Sequence, residues 1–414
     1  MKRNQFLGQL TALSVLTLAG VPAAGTPAAG TGGSGQLPAW PLPALKGMLP
    51  EPVVIRAVEL LKTRGRLLLV VTAQDGSRGV TQCNDRMPHL ISLLKGLVLP
   101  HFVGKDARDL PQLVDNAYRL NSNYKYAGMP LWNCIGSVEI AAWDLLGQLA
   151  RKPVYALLGQ PVRADYEVYI SDFWRGGGPA EAVVDGLAEK LAATGAKGVK
   201  IKVGGRMQHT AEDDRRTRQL VPLVRKGLGD RVTIYADGNG SFTPEQGVQT
   251  GRLLEDYGVA VFEEPCPFED EDGMRRVNQA LSKLVLAGGE QDSSLYRFQR
   301  LAQTGVYDVL QPDLYYNGGI LRTLHVAEIA RQLGKHLAPH TPKADPLIGP
   351  FWQVAALVPN LYGLQEFVYT PGESPASWYT PALRVQQGKL AIPTTPGLGI
   401  QYDDGIWKGA ERVV

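Results

Sequence analysis

From about Tyr166 onward, the chain alternates short apolar runs with longer amphipathic stretches such as "LRTLHVAEIARQLG". The short runs have the length of strands, and the stretches between them have the spacing of helices. The runs are "YEVYIS" (166–171), "GVKIKV" (198–203), "VTIYADGN" (232–239), "VAVFEEP" (259–265), "LVLAGGE" (284–290), "VYDVLQPD" (306–313), "KHLAPH" (335–340) and "LYGLQEF" (361–367). Eight strands in alternation with helices predict a parallel sheet closed into a TIM-type barrel. A doubly wound open sheet is the alternative, but no G-x-G-x-x-G sequence opens its first crossover.

The region from 53 to 80 has a different pattern. Two apolar runs, "VVIRAVELL" and "RLLLVVTA", are joined only by "KTRG". So short a connection between two strands predicts a β-hairpin.

The first 24 residues have the layout of a secretory signal peptide. Lys2 and Arg3 precede an apolar stretch from Leu10 to Ala19, and small residues follow. An amphipathic first helix is the alternative. Residues 25–50 are rich in Gly, Pro, Ala and Ser, which is typical of a linker. Because the apolar stretch is too short for a membrane span, we expect an exported protein without a stable membrane anchor, located in the periplasm.

Composition excludes several classes of function. Hydrophobic residues make up 44% of the chain, charged residues 20%, and the net charge is +3. No basic run or nucleic-acid motif is found, so no nucleic-acid partner is expected. Cys83, Cys134 and Cys266 show no C-x-x-C spacing, so neither a disulfide framework nor a zinc site is indicated.

Charged or ionisable residues stand at or near the C-terminal ends of the second to eighth predicted strands. They are Lys202, Asp237, Glu263, Glu290, Asp313, His340 and Glu366. A single residue of this kind is often a solvated strand cap. Because the C-terminal ends of barrel strands form the active-site face, the whole series predicts a functional site there.

Three of these residues, Asp237, Glu263 and Glu290, end consecutive strands. Neighbouring strands lie about 4.8 Å apart, so three carboxylates on them can meet at one point. Like charges so close together favour a bound cation, and an all-carboxylate set suits Mg²⁺ better than zinc. Three separate salt bridges are the alternative.

Lys200 and Lys202 lie two residues apart in one strand and therefore point to the same side of it. One interpretation is a half-solvated strand whose lysines reach water. The other is that both ammonium groups belong to the predicted site.

The motifs "KIK", "DGN", "FEEP", "GGE", "QPDLYYNGG", "APH" and "LQEF", in this order and spacing, resemble the enolase superfamily and, within it, the mandelate racemase-like group. "SVEIAAWDLLGQLARKPVYALLG" (137–159) resembles the segment that leads into the barrel of that family, and "TPGLGIQYD" (395–403) resembles its closing segment. The resemblance covers nearly everything from about 53 to 403. It implies an α/β fold, a modified (β/α)7β TIM barrel preceded by an α+β capping domain.

The resemblance and the patterns above together divide the chain into five parts. They are a signal peptide (1–24), a linker (25–50), an α+β cap (51–163), the barrel with the active site (164–368) and a C-terminal segment that returns to the cap (369–414). A homo-oligomer is also expected.

The resemblance assigns roles residue by residue. Asp237, Glu263 and Glu290 match Mg²⁺ ligands; Lys202 matches a general base, with Lys200 beside it; Asp313 and His340 match a hydrogen-bonded dyad that acts as base or acid; and Glu366 matches a carboxyl group near the carboxylate of the substrate. Lys200 and Asn239 are candidate substrate-binding residues, although Asn239 equally fits a simple turn. Glu264 is expected to be an outer or surface group.

The step shared by the family is removal of a proton from the carbon next to a carboxylate, and a cation bound to that carboxylate stabilises the resulting enolate. A lysine base must be neutral, and burial, a metal and the second ammonium group of Lys200 all lower its pKa. Considered in isolation, His340 could be a packed core residue. Asp313 on the adjacent strand favours a site residue, because its carboxylate can orient the imidazole ring.

Two bases that face one carbon permit either dehydration or racemisation. We expect a dehydratase that acts on an acid sugar or hydroxy acid. The alternatives are a racemase or epimerase of a 2-substituted carboxylate, and a non-catalytic exported binder of anionic sugars.

In the capping domain, the short "KTRG" turn indicates an open or differently closed barrel mouth. Tyr124, Tyr126, Met129 and Trp132 either line the pocket or pack ahead of a helix.

Overall fold

The computed structural model describes residues 37–42, 44–340, 344–372 and 377–414. The predicted signal peptide lies outside the described residues. Within these ranges, no helix combines the length and the apolar character that crossing a bilayer requires.

The N-terminal cap is built on an antiparallel sheet with the strand order β15-β1-β2-β3. Its strands are Ile55–Thr63 (β1), Arg66–Ala73 (β2), Arg78–Gln82 (β3) and Glu411–Arg412 (β15). The expected hairpin joins β1 to β2 in register, with Thr63 paired to Arg66. Arg64 and Gly65 form the turn with φ angles of 47° and 73°, so the cap has no long loop at this position.

Helices cover one side of this sheet. They are Leu45–Met48 (α1), Ile91–Leu93 (α2), Leu110–Arg119 (α3), Met129–Ala150 (α4) and Tyr155–Leu158 (α5), with 3-10 turns at Met87–His89, Leu99–His101, Ala107–Asp109 and Leu120–Tyr126 and a π-helical turn at Leu94–Val98. The buried helix α4 lies directly on β3. A Cβ atom at Gly79 would stand 2.1 Å from the Ala141 carbonyl oxygen, so only glycine permits this close approach.

A parallel eight-stranded sheet forms the barrel, with the order β10-β9-β8-β7-β6-β5-β4-β11. Its strands are Asp165–Ser171 (β4), Gly198–Lys202 (β5), Thr233–Asp237 (β6), Val261–Glu263 (β7), Val285–Gly288 (β8), Val309–Leu310 (β9), His336–Leu337 (β10) and Gln365–Phe367 (β11). Each coincides with one of the predicted apolar runs. An isolated parallel bridge between Leu337 and Leu361 joins β10 to the residues ahead of β11. These are the two end strands of the sheet order, so the sheet closes into a barrel.

Helices follow the strands around the outside of the barrel. They are Ala180–Thr194 (α6), Ala211–Leu228 (α7), Pro244–Asp256 (α8), Glu271–Ala280 (α9), Leu295–Gln303 (α10), Ile320–Gln332 (α11) and Gly349–Leu357 (α12), the last preceded by a 3-10 turn at Pro346–Ile348. Local sequence starts two of them. Thr210 with Asp213, and Thr243 with Gln246, form capping boxes at the N-termini of α7 and α8.

Apolar side chains fill the inside of the barrel below its mouth. Five of them lie in five different strands, and the sixth, Leu364, directly precedes β11. They are Tyr169, Tyr235, Val261, Ala287, Val309 and Leu364. All five residues of β5 are buried, including both lysines. The ammonium group of Lys200 lies 5.5 Å from the ring centroid of Tyr169. The interpretation of Lys200 and Lys202 as water-exposed residues is therefore wrong.

The C-terminal segment adds strands at three places. Tyr379–Thr380 (β12) pairs with Gln401–Tyr402 (β14), and Lys389–Ala391 (β13) pairs antiparallel with β4. After a 3-10 turn at Asp404–Trp407, β15 pairs with β1 in the cap sheet. The numerical domain boundaries stay predictions.

The described part of the predicted linker packs against the folded protein. The backbone N–H of Trp40 donates to Nδ1 of His325 at 3.0 Å, and its indole N–H donates to the Leu158 carbonyl at 3.0 Å. Leu45 is buried in the core. Composition alone missed these contacts, because one tryptophan and one leucine are enough to anchor a stretch of otherwise small residues.

Glu139 joins the cap to the barrel. Its carboxylate, on α4, accepts the backbone N–H groups of Ile320 at 3.0 Å and Leu321 at 2.9 Å, which begin α11 of the barrel. Nearby, a Cβ atom at Gly136 would stand 2.8 Å from the backbone of Gly318 and Gly319. The two domains therefore meet with their backbones in close contact.

Candidate active site

Lys202 and Asp237 form a buried ion pair at the ends of β5 and β6. The two residues are paired in the sheet register, and the Lys202 ammonium group hydrogen-bonds to Oδ2 of Asp237. Burial opposes ionisation of Asp237, but Lys202 and Lys200 outweigh it and lower the pKa of this carboxyl group to about 2. Asp237 is therefore a carboxylate at neutral pH.

Lys200 lies deeper and contacts two further carboxylates. Its Nζ atom is 3.0 Å from Oε2 of Glu263 and 2.9 Å from Oε1 of Glu366. Burial acts to lower the pKa of Lys200, but Glu263 and Glu366 reverse this and raise it well above the usual value. The sequence-based expectation that Lys200 helps to discharge Lys202 did not foresee these two neutralising partners.

His340 and Asp313 are joined by the expected hydrogen bond. Nδ1 of His340 is 2.8 Å from Oδ2 of Asp313, and the backbone N–H groups of Tyr315 and Tyr316 donate to Oδ1 of Asp313 at 2.9 and 3.0 Å. These two backbone donors fix the carboxylate, which in turn fixes the imidazole ring. The interpretation of His340 as a packed core residue is not supported, since its ring faces the cavity at the barrel mouth.

The other ring nitrogen of His340 contacts a third carboxylate. Nε2 lies 3.2 Å from Oε2 of Glu290. Burial acts to lower the pKa of His340, but Glu290 and Asp313 raise it to about 10. In this arrangement the imidazole is protonated at neutral pH.

Asp237, Glu263 and Glu290 stand at or just after the C-terminal ends of three consecutive strands, β6, β7 and β8. Asp237 and Glu263 are paired in the sheet register, and Glu290 follows the next strand, β8. All three are buried, and carboxylate oxygens are the donors that Mg²⁺ prefers. The donor chemistry and the strand positions therefore fit the ion.

The carboxylates themselves are turned toward partners within the protein, namely Lys202, Lys200 and His340. In the described ranges, no group of three or more His, Cys, Asp or Glu side chains stands in an arrangement that could hold a metal ion. The predicted common metal point is thus not formed by these rotamers. Binding of an ion requires the carboxylates to turn from their lysine and histidine partners.

Asn239 forms the turn that was one of its two expected roles, and it also lines the cavity. It adopts a left-handed conformation with φ of 44°, and its backbone N–H donates to Oδ1 of Asp237 at 2.8 Å. Its side-chain oxygen accepts a hydrogen bond from Arg175 and lies at the cavity. Asn239 therefore forms the turn that holds Asp237 and also presents an amide to the cavity.

Of the two positions expected for Glu264, an outer group of the site or a surface group, the structure excludes the surface. It is 3% exposed, and its φ of 40° turns the chain directly after β7. Burial first, and then the neighbouring Glu290, raise the pKa of Glu264 well above the usual value. Burial beside Glu290 agrees with the alternative of an outer group of the site.

A cavity of about 280 Å³ opens above these residues. On its buried side it is lined by Lys202, Glu290, Asp313, His340 and Glu366, and on its outer side by Asn84, Asp85, Arg86, Phe173, Arg206 and Tyr316. The outer residues were missed by sequence reasoning. For Phe173 and Arg206 a signal existed, because both lie in loops that follow barrel strands; for the segment 84–86, in the cap, no pattern in the sequence points to the barrel.

Of the four residues considered for the pocket, Tyr124 and Tyr126 precede α4, Met129 and Trp132 lie at its N-terminal end, and none of them lines this cavity. Tyr124 and Tyr126 are 49% and 56% exposed. Trp132 stacks on Tyr118 with ring centroids 4.8 Å apart, and the Arg322 guanidinium lies 3.5 Å from its ring centroid. Of the two interpretations offered by the sequence, packing applies to Trp132.

Comparisons with known proteins agree with this architecture. Residues 47–159 match the family model of the mandelate racemase/muconate lactonizing enzyme N-terminal domain, and residues 182–406 match the enolase C-terminal domain-like model. The first match covers the cap, and the second begins within α6, after the first barrel strand, β4.

Individual relatives match over nearly their whole length. The chain is 27% identical to the arabinonate dehydratase of Saccharolobus solfataricus, over 88% of this chain and 92% of the relative. It is 26% identical to a D-mannonate dehydratase of Caulobacter sp., over 85% of this chain and 93% of the relative. The crystal structure of a mandelate racemase/muconate lactonizing protein from Paracoccus denitrificans, complexed with magnesium, superimposes with a TM-score of 0.79 at 25% identity and covers 87% of this chain and 99% of its own.

The two family models together span most of the described chain, in the same order as the observed cap and barrel. The barrel, its cap and the alignment of ionisable residues at the strand ends agree with that match. The chain belongs to the mandelate racemase/muconate lactonizing enzyme group of the enolase superfamily, and it is a lyase or isomerase of that superfamily.

Proposed function

We propose that this enzyme is a Mg²⁺-dependent dehydratase of acid sugars or related hydroxy acids. The α-proton of the substrate carboxylate is removed to give an enolate, the β-hydroxyl leaves as water, and the enol product becomes a 2-keto-3-deoxy acid. The names of the arabinonate and D-mannonate dehydratases with which the chain aligns support this reaction class.

One observation carries the proposal. Lys202 and His340 line the same cavity, and in the closed barrel β5 and β10 lie on opposite sides of the mouth, with β4 and β11 between them on the shorter path. One residue can therefore act on the α-carbon from one side while the other acts from the far side. This is the arrangement that proton removal and departure of a hydroxyl group need.

We assign the proton abstraction to Lys202. Its only ion-pair partner among the described residues is Asp237, so movement of that carboxylate toward a bound cation frees the amine. Lys200, between Glu263 and Glu366, stays charged and supplies a fixed ammonium group beneath the substrate carboxylate. Glu366, at the buried wall of the cavity, and the amide of Asn239 position the substrate.

We assign protonation of the leaving hydroxyl to His340. Asp313 holds Nδ1, so Nε2 is the nitrogen available to a substrate once Glu290 has moved away. The carboxylates of Asp237, Glu263 and Glu290 would hold Mg²⁺. When bound, the ion supplies positive charge that stabilises the enolate.

A screen of acid sugars and hydroxy acids with Mg²⁺ tests the proposal, with formation of 2-keto-3-deoxy acids as the readout. Racemisation is the second candidate, because two groups that face one carbon also permit inversion. Proton NMR in D₂O separates the two: exchange at the α-carbon with full retention of hydroxyl groups contradicts dehydration. Tight binding of acid sugars without exchange or turnover contradicts both candidate reactions.

Export and self-association are further proposals that rest on the sequence. Expression with the first 24 residues in a Gram-negative host is expected to yield a periplasmic protein cleaved near Ala24. Sedimentation of the mature protein is expected to give a homo-oligomer; a cytoplasmic, uncleaved monomer contradicts both.

A further inference from the structure

The outer wall of the cavity carries two arginines from different domains. Arg86 comes from the cap, four residues after β3, and Arg206 comes from the barrel, four residues after β5. Both are exposed at the mouth, whereas Lys202, Glu290 and Glu366 at the inner wall are buried. The cavity therefore has an inner end for the reaction and an outer end with guanidinium groups.

Each cation at the inner end has a carboxylate partner within the protein. Lys202 pairs with Asp237, Lys200 with Glu263 and Glu366, and His340 with Asp313 and Glu290.

The outer end is different. Arg206 has no ion pair or hydrogen bond with any of the described residues, and it is close enough to Arg175 to lower the pKa of that arginine, together with burial as the larger cause. Two carboxylates of the cavity lining, Asp85 and Asp313, act on Arg86, and Asp313 is already paired with His340. The outer end thus has an excess of positive charge.

Arg86 is held in place by the cap. The side-chain amides of Asn84 and Asn133 pair reciprocally, both at 3.1 Å, and Asn133 is fully buried in α4. The backbone N–H of Arg86 donates to Oδ1 of Asn84 at 3.1 Å. Across the domain boundary, Nε of Arg86 donates to the Tyr316 hydroxyl at 3.3 Å.

These contacts use one guanidinium nitrogen of Arg86. Its two terminal nitrogens make no hydrogen bond within the described chain and remain for a ligand. A guanidinium group with free terminal N–H groups binds carboxylate or phosphate through two parallel hydrogen bonds. The contact with Tyr316 restricts the Arg86 side chain before an anion binds, which lowers the entropic cost of binding at this arginine.

We propose that the substrate carries a second anionic group at the end remote from the reacting carbon, and that Arg86 and Arg206 bind this group. The inference rests on the proposed function and makes it narrower. Substrates of this class are acid sugars with a terminal carboxylate (aldarates) or a terminal phosphate, in contrast to the singly charged aldonates in the names of the relatives.

The test compares matched substrates of equal carbon number: the stereoisomeric six-carbon aldonates, the corresponding aldarates and the 6-phosphorylated aldonates, all with Mg²⁺. For the wild-type enzyme, kcat/KM for the preferred doubly anionic substrate is expected to exceed that for its aldonate at least about tenfold, or about 1.4 kcal/mol. R86Q and R206Q are each expected to reduce this ratio several-fold through KM. D85N is expected to increase it, and the control R56Q, at an exposed position of β1, to leave it unchanged.

Calorimetric titration of the K202M variant with an aldarate and its aldonate measures binding without turnover. The proposal is overturned if aldonates are the preferred substrates. It is also overturned if R86Q and R206Q lower kcat/KM equally for singly and doubly anionic substrates. In both cases turnover persists, so the proposed dehydration still stands. If no acid is turned over but the aldarate still binds more tightly and this preference falls in R86Q, the proposed reaction fails and the anion site stands. Preference for the phosphate over the aldarate identifies the second group as a phosphate.

Discussion

Asp313 and His340 face each other from the ends of neighbouring strands, with Oδ2 of the carboxylate 2.8 Å from Nδ1 of the imidazole. Two backbone N–H groups fix the other carboxylate oxygen. The pair leaves only Nε2 for a reacting group, so Asp313 and its two backbone donors decide the orientation of the ring.

D313N is expected to lower kcat of dehydration by roughly 10²-fold. The asparagine amide carries no negative charge, so it no longer stabilises the imidazolium form of His340, and general acid catalysis accelerates such a step about 10²- to 10⁴-fold. Steady-state kinetics measure the effect. D230N, at an exposed carboxylate, is the matched control. Equal kcat for D313N and D230N would show that the pair has no part in the reaction.

Lys202 and His340 are expected to separate the two halves of the reaction. K202M removes the base, so exchange of the α-proton in D₂O should fall at least about 10²-fold. H340N keeps the base and should retain exchange while dehydration is lost. NMR of the same samples reports both events. The assignment of the two roles is wrong if K202M exchanges at the wild-type rate or if H340N abolishes exchange while dehydration continues.

Binding of Mg²⁺ is expected to depend on the three strand-end carboxylates. Calorimetric titration of metal-free protein should give one Mg²⁺ per chain, and D237N and E290Q should weaken binding by at least about tenfold, since each ligand lost removes a charged oxygen donor. D230N again serves as the control. Unchanged affinity in both ligand variants would contradict the proposed ligand set. Chelation by EDTA should abolish turnover, and added Mg²⁺ should restore it.

Glu139 is expected to make stability depend on pH. Burial, as the largest cause, raises its pKa to about 7 despite three N–H donors, whereas the unfolded value is about 4.3. Between these values the folded protein holds a proton that the unfolded chain releases. Its stabilising contribution is thus complete below about pH 4.3, and the free energy of unfolding falls by up to about 1.4 kcal/mol per unit as pH rises toward 7.

Urea unfolding at several pH values measures this slope. In E139Q, the slope of the free energy of unfolding against pH is expected to be smaller than in the wild type by the equivalent of up to one bound proton. The control E189Q, at an exposed position on α6, is expected to keep the wild-type slope. Identical slopes in the wild type and E139Q would mean that the pKa of Glu139 is the same in the folded and the unfolded protein.

The barrel and the inner site could be predicted because local sequence determines them. Strand periodicity placed Asp237, Glu263 and Glu290 at consecutive strand ends, and the sheet register then brings the first two side by side. The alternation of side chains placed Lys200 and Lys202 on one side of β5, where both are buried.

The outer site could not be predicted, because it depends on how two domains dock. Arg86 reaches the cavity only because Asn84 pairs with Asn133 on α4 and because Tyr316 lies opposite. None of these contacts is local in the chain. For the same reason, the ion pairs of Lys200 with Glu263 and Glu366 could not be derived from the spacing of the motifs, since each joins different strands.

The carboxylate of Glu139 also decides how the domains depend on each other. A helix begins with N–H groups that need acceptors, and α11 finds them on a side chain of the cap rather than within its own barrel. A barrel produced without its cap would begin this helix unsupported, next to the β9 end that carries Asp313. Loss of the cap should therefore disturb catalytic geometry as well as substrate choice. Exchange of caps between relatives should transfer specificity only when the incoming cap carries an acidic residue at this position.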